Sequence, residues 1–298
     1  MKSNHFQIHK NFFSKADLLR KDFENLFNNP RSTEQKRFVW DYWYFENQYH
    51  LLRTPAYYYF NEKVYSDFHN YLVQWGRENL GCHDISPTWL SYYVDGCYQN
   101  LHSDVPHGPW AFVFSLTIDP KKFLGGETLI LKPEVLNYWN HFSDSNDYEL
   151  NSFVDRIPSN FNQLVVFDPR FPHGVTEVKG TRDPLKARLV IHGWFVQPRP
   201  YVVGGLKTNQ VEKPIKNLLL NLDHPAIQNV MGTLSIRLNV KKSGEVDTLT
   251  ILTNTLVHIQ SNPVELKKLI IFLKSEFIKI KFSKSTKASS IVIPIIFR

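Results

Sequence analysis

The 298 residues include 42% hydrophobic and 14% aromatic side chains, enough to build a core, so wholesale disorder is excluded and one large or two modest domains are expected. The formal charge of +7 is unevenly placed: Lys and Arg outnumber Asp and Glu by 14 to 6 from Leu206 onward and stand at 21 to 22 before it. Two cysteines, Cys82 and Cys97, exclude a disulfide framework and a cysteine-built metal cluster, and read as reduced thiols.

The first fifteen residues are polar and lack an apolar signal core, and no run approaches 18 apolar residues. A soluble, cytoplasmic protein without a membrane span is the expectation. Ser14-Lys15-Ala16-Asp17 starts a helix ahead of Leu18, Leu19 and Phe23. The aromatic run Phe38-Val39-Trp40-Asp41-Tyr42-Trp43-Tyr44-Phe45 suits a strand or a pocket lining. Val64, Phe68, Leu72 and Trp75 recur at three- and four-residue steps, which predicts an amphipathic helix over 62–79.

From Trp89 the period changes. Short β-rich runs at 89–94, 112–118, 127–131, 163–167 and 188–196 are separated by Gly, Pro and Asp clusters. They predict a mainly β sandwich or barrel with flanking helices. The polar stretch 140–160 reads as an insertion or surface loop. Gln197-Pro198-Arg199-Pro200 and Gly204-Gly205 mark a join, with 201–231 as linker and short helix. A small α+β unit of ββαβ order follows over 232–298: strands at 233–240 and 246–252, a helix after Asn262-Pro263, and a closing β run at 291–297.

The chemistry-bearing pattern is His102-Ser103-Asp104 after one strand and His173 at the end of another. Two imidazoles and one carboxylate on one face of a metal leave positions open, and this is the ligand set of non-haem Fe(II) oxygenases. The surroundings sharpen it. Tyr93-Val94-Asp95-Gly96 precedes these residues and Gly125-Gly126-Glu127-Thr128-Leu129 follows them. Leu164-Val165-Val166-Phe167-Asp168 then leads through Pro172 to His173-Gly174-Val175. Arg188-Leu189-Val190-Ile191-His192-Gly193-Trp194-Phe195 comes last.

In this order the motifs over 89–195 resemble the Fe(II)/2-oxoglutarate-dependent oxygenases of the prolyl-4-hydroxylase-like branch. The resemblance implies a double-stranded β-helix (jelly roll) over 1–200, with His102, Asp104 and His173 binding Fe(II). It implies Arg188 on the distal carboxylate of 2-oxoglutarate, with Tyr93 and Tyr98 beside that cosubstrate. Arg182, nine residues after His173, competes with Arg188 for the role. His107, His141 and His192 fit structural roles, His107 with a second reading at the active-site mouth. Because Asp104 is a carboxylate, the resemblance implies hydroxylation of a peptide, protein or amino-acid-like substrate. O2 would be consumed and succinate and CO2 formed, with ascorbate admitted as an auxiliary.

Two other readings stand beside this one. A nucleic-acid demethylase would use the Arg182/Arg188 pair, but that pair is out of register. A non-catalytic cupin-like protein would bind through its basic C-terminal third. That third, over 232–298, resembles a TonB-like C-terminal domain, which implies a binding or self-association module. Its lysines are either a solvated face or a dock for an acidic partner; sparse aromatics there count against nucleic acid.

Overall fold

Two antiparallel sheets divide the chain. The computed structural model describes residues 5–28, 36, 39–135, 152–260 and 262–298. The first part contains β1 (Phe6–Lys10), α1 (Ala16–Asn28), β2 (Asp41–Phe45), β3 (Tyr49–Pro55), α2 (Ala56–Tyr59) and α3 (Glu62–Asn79). After these come β4 (Cys82–Ile85), β5 (Trp89–Tyr93), β6 (Tyr98–His102), β7 (Trp110–Ser115) and β8 (Thr128–Leu131). β9 (Val154–Ile157), β10 (Gln163–Phe167), β11 (His173–Val175) and β12 (Arg188–Pro198) complete this sheet.

Its order is β1-β10-β7-β12-β5-β3-β6-β11-β8-β9, with β2 on β3 and β4 on β12. Apart from the β8–β9 hairpin, strands successive in the chain from β5 to β12 alternate between two groups, β5-β12-β7-β10 and β6-β11-β8-β9, so the sheet curls into a double-stranded β-helix. The fold is mainly β with flanking helices, as the motifs imply. The hydrophobic pattern does not mark β1, β3, β4, β6, β9 and β11. β6 (Tyr98-Gln99-Asn100-Leu101-His102) is polar because it lines the cavity, and β11 is only three residues long. Within the expected surface loop 140–160, Val154–Ile157 is instead a strand paired with β8; residues 136–151 lie outside the described set.

Strand alternation separates core from cavity. On β12, Leu189, Ile191 and Phe195 point into the main core, while Arg188, Val190, His192 and Trp194 line the cavity. The helices cover the core face. Asn61 caps α3 by accepting from Lys63 N at 3.1 Å, and Phe68 and Leu72 are buried along one stripe. Phe68 meets Phe114 with ring centres 4.8 Å apart. Each such burial contributes about 1.5–3 kcal/mol, so this packing holds the sheet curled around its other face.

The second part contains β13 (Tyr201–Gly204), α4 (Thr208–Leu220), β14 (Val230–Val240), β15 (Val246–Asn254), β16 (Val257–His258), α5 (Pro263–Ile278) and β17 (Ser289–Phe297). The order β14-β15-α5-β17 is ββαβ. β13 pairs with β17, and α4 buries Val211 and Ile215 in this unit's own core, so 201–231 is largely built into it rather than left as a linker. The unit sits against the first part. Ser235 Oγ donates to Leu80 O at 3.0 Å, and Arg237 Nη2 to Glu78 O at 2.8 Å. Among the described residues no helix is long and apolar enough to cross a membrane.

Candidate metal and anion site

His102 ends β6 and His173 opens β11, and the register pairs them directly, with ring centres 4.4 Å apart. Asp104 lies just beyond β6, its backbone N–H donating to Pro169 O at 3.1 Å. Its Oδ2 is 3.4 Å from His173 Nε2 and 3.7 Å from His102 Nε2. All three ligand atoms fall within 4.8 Å of one another, so one ion could touch each of them.

The far side of each ring sets its chemistry. His102 Nδ1 lies 2.9 Å from Asn100 O and His173 Nδ1 lies 3.0 Å from Phe171 O. A carbonyl can only accept, so each Nδ1 carries the proton and each Nε2 lone pair faces Asp104. Burial works against charge at this site, yet the two imidazoles hold the Asp104 carboxyl well below the usual range. Burial likewise opposes a second proton on His102, but the Asp104 carboxylate, to which only the protonated ring could donate, raises that imidazole overall. An ionised oxygen beside two imidazole lone pairs fits a divalent ion. The three residues singled out in sequence are thus brought together.

The second half of the site is an anion socket. Arg188 is 1% exposed, and its Nη2 donates to Thr128 Oγ1 at 3.1 Å. Its guanidinium lies over the Tyr93 ring at 4.5 Å, while Nε and Nη1 are buried with no partner. Buried donors are normally satisfied, so two unpaired guanidinium N–H groups facing a cavity fit a missing carboxylate. Gly126 adopts φ +73°, and an added Cβ would meet Phe123 Cε2 at 2.8 Å and Val178 Cγ2 at 3.1 Å, with Arg188 Cδ next at 3.3 Å, so the turn before β8 packs tightly around the arginine and its neighbours. Arg182 is elsewhere: its side chain is 90% exposed, with Nε 3.9 Å from Asp95 Oδ2. The Arg182/Arg188 pair is therefore not assembled.

Tyr98 is not at the site. A register shift where β6 meets β11 places Gln99 opposite Val175, so Gln99, and not Tyr98, takes the cavity face. Gln99 Nε2 reaches His102 Nε2 at 3.2 Å. His192, expected to be structural, lines the cavity and bonds to Ser91 Oγ at 2.9 Å. Desolvation first, then Arg188 and Arg53, push its imidazole down to about 3. Counting in twos from Arg188 along β12 would have found it. His107 stands at the mouth, 4.4 Å from the Trp194 ring, and His141 lies outside the described residues. Of the aromatic run 40–45, Trp43 lines the cavity; Trp40 packs on the core, and Tyr42, Tyr44 and Phe45 are exposed. The whole cavity measures about 1010 Å³.

No family model and no curated protein sequence matches the chain. Solved structures do. A prolyl-4-hydroxylase from Pseudomonas putida is 15% identical, with 65% of this chain and 92% of that one covered at a TM-score of 0.45. A prolyl hydroxylase from Trichoplax adhaerens, solved with a hypoxia inducible factor oxygen degradation domain peptide fragment, is 15% identical over 64% and 84% at 0.43. A 2OG-Fe(II) oxygenase family oxidoreductase from Burkholderia pseudomallei is 10% identical over 63% and 83% at 0.39.

Proposed function

We propose that the protein is an Fe(II)- and 2-oxoglutarate-dependent oxygenase that hydroxylates a C–H bond of a peptidyl or amino-acid-like substrate. The observation that carries this is one cavity holding both a two-histidine, one-carboxylate cluster and a buried arginine with two unpaired donors. Together they fit a metal ion and the far carboxylate of a dicarboxylic acid.

Bound Fe(II) and 2-oxoglutarate would supply the oxidising chemistry, converting O2 and a C–H bond to a hydroxyl with succinate and CO2 as coproducts. The chain's own residues bind, orient and exclude water. His102 and His173 present Nε2 lone pairs, held in that tautomer by Asn100 O and Phe171 O. Asp104 supplies the anionic ligand and stays ionised. Arg188 orients the cosubstrate by a planar fork that matches a carboxylate, with Thr128 and Tyr93 fixing the guanidinium. Val113, Val175 and Val190 give the cavity apolar walls that limit water.

The deciding measurement is succinate formation from 2-oxoglutarate by Fe(II)-reconstituted protein, alongside a +16 Da product from candidate peptides and amino acids. Wild-type turnover that vanishes in His173→Ala is expected. Full activity in that variant, or no metal-dependent 2-oxoglutarate binding by wild type, refutes the reading. We further propose that the unit over 232–298 serves as a support or docking module and not as a catalytic one. The contacts of Thr233, Thr255 and Phe297 with the loop before His173 support this role.

A further inference from the structure

A second arginine opens into the same cavity. Arg53 sits on β3 between β2 and β5, and its guanidinium carbon lies 3.0 Å from the Trp43 ring centre and 3.9 Å from that of Trp89. The two rings come from the strands on either side. Trp43 is diagonal to Arg53 across the Asp41↔Arg53 pair, and Trp89 is diagonal across the Arg53↔Ser91 pair. Aromatic faces therefore cover the guanidinium plane and leave only its N–H edge free. Nε is buried without a partner, and among the described residues no carboxylate comes within ion-pair distance, Asp41 included.

This arginine is separate from the cosubstrate socket. Arg188 stands opposite Tyr93 and Arg53 opposite Ser91, so they occupy different rungs with β5 between them. Burial, only partly offset by Asp41, pulls Arg53 down to about 10, which leaves it cationic at neutral pH. Among the described residues, the charged ones lining the cavity are Arg53, Arg188 and Asp104. A bound divalent metal would join the two arginines on the positive side, and Asp104 with a dicarboxylate cosubstrate would oppose them. One positive charge is left over, and Arg53 carries it. A cavity of about 1010 Å³ is large enough for a small second ligand beside the cosubstrate.

We propose that Arg53, clamped between Trp43 and Trp89, binds a carboxylate of the substrate, so that the substrate class is a small amino-acid-like acid presented with its carboxylate free. The proposal rests on the oxygenase reading above and narrows it. A planar, edge-on, bidentate acceptor is what a face-covered guanidinium selects, and Lys in its place would give a point charge without the fork. The interior of a polypeptide offers no such group unless an acidic side chain supplies it.

The test uses full-length protein loaded with Mn(II) and 2-oxoglutarate, titrated by calorimetry with the twenty free amino acids and with their carboxamides. Trp43 and Trp89 fluorescence provides a second readout that needs no turnover. At least one free acid is expected to bind, to perturb the fluorescence and, with Fe(II), to stimulate succinate formation. Its carboxamide is expected to bind at least about tenfold more weakly. Arg53→Gln and Arg53→Lys are expected to lose at least about tenfold in affinity for the acid while 2-oxoglutarate affinity holds within about twofold. Circular dichroism melts show whether either variant is folded, and Arg53→Lys keeps the charge between the rings. The proposal is overturned if no free acid binds, if acid and carboxamide bind alike, or if folded Arg53 variants bind the acid as wild type does. It is also overturned if they lose 2-oxoglutarate as Arg188→Ala does, which would assign Arg53 to the cosubstrate. Wild type that binds no 2-oxoglutarate with Mn(II) overturns the oxygenase reading as well, which distinguishes the two failures.

Discussion

Thr255 donates its hydroxyl proton to Asp168 Oδ2 across 2.7 Å, joining the second sheet to the loop that leads to His173. Asp168 is fully buried and also holds Arg170, which donates onward to Thr233 Oγ1 and Phe297 O. The same loop accepts from Asp104 N at Pro169 O and from His173 Nδ1 at Phe171 O. Two of the three candidate metal ligands are therefore steadied through residues that the second unit holds. Thr255→Val removes the donor without changing shape, and leaving Asp168 short of a partner costs about 1–3 kcal/mol. A lower denaturant midpoint together with severalfold weaker Mn(II) binding is the expected result. Unchanged Mn(II) affinity would show that the contact stabilises the junction but not the ligands.

Arg188 and Arg182 are separable by one binding measurement. Arg188→Ala removes a fully buried guanidinium, and losing its charge-assisted bonds, worth about 1.5–3 kcal/mol each, should weaken 2-oxoglutarate binding at least tenfold. Arg182→Ala should leave it unchanged, because that side chain is exposed beside Asp95. The reverse pattern would show that the cosubstrate lies elsewhere.

Gly174 lies between His173 and Val175, and an added Cβ would meet Gln99 O at 2.4 Å. The obstacle is backbone, so it cannot rotate away. Gly174→Ala should push β11 off β6, cost about 1–3 kcal/mol and separate His173 from His102. Thermal melting and Mn(II) titration would check both effects, and a variant with wild-type melting would show that the strands can separate freely here.

His192 sets an acid-side weakness. In the unfolded chain its imidazole gains a proton near 6.5, whereas in the fold it stays neutral down to about 3. The unfolded state then binds the extra proton throughout that window, so stability falls as pH drops from about 6.5 toward 3. His192→Gln should flatten that part of a urea-unfolding pH profile while leaving the region above pH 7 unaltered. An equally steep profile in the variant would assign the acid sensitivity to other groups.

Much of the site was legible because its signals are local. The spacing in His102-Ser103-Asp104 and the approach from Phe167 to His173 are short-range, as is the alternation along Arg188 to Phe195 that sends charge toward the cavity and apolar bulk toward the core. Helix α3 was equally clear from its stripe of Phe68 and Leu72. The polar strand β6 and the three-residue β11 were not, because neither buries enough apolar surface on one face to leave a period.

By itself, the sequence determined a mainly β part with flanking helices, the metal-ligand candidates and the crowding of positive charge after Leu206, all of which follow from residue type and near spacing. Register and contacts between distant strands decided the rest. A shift between β6 and β11 exchanged Tyr98 for Gln99 at the cavity, and burial with unpaired donors favoured Arg188 over Arg182. Arg53 met Trp43 and Trp89 only through the pairing of three strands, and Thr255 met Asp168 across 87 residues of chain. No local pattern encodes such meetings, because a strand's side-chain period fixes which face a residue occupies but not which partner lies opposite.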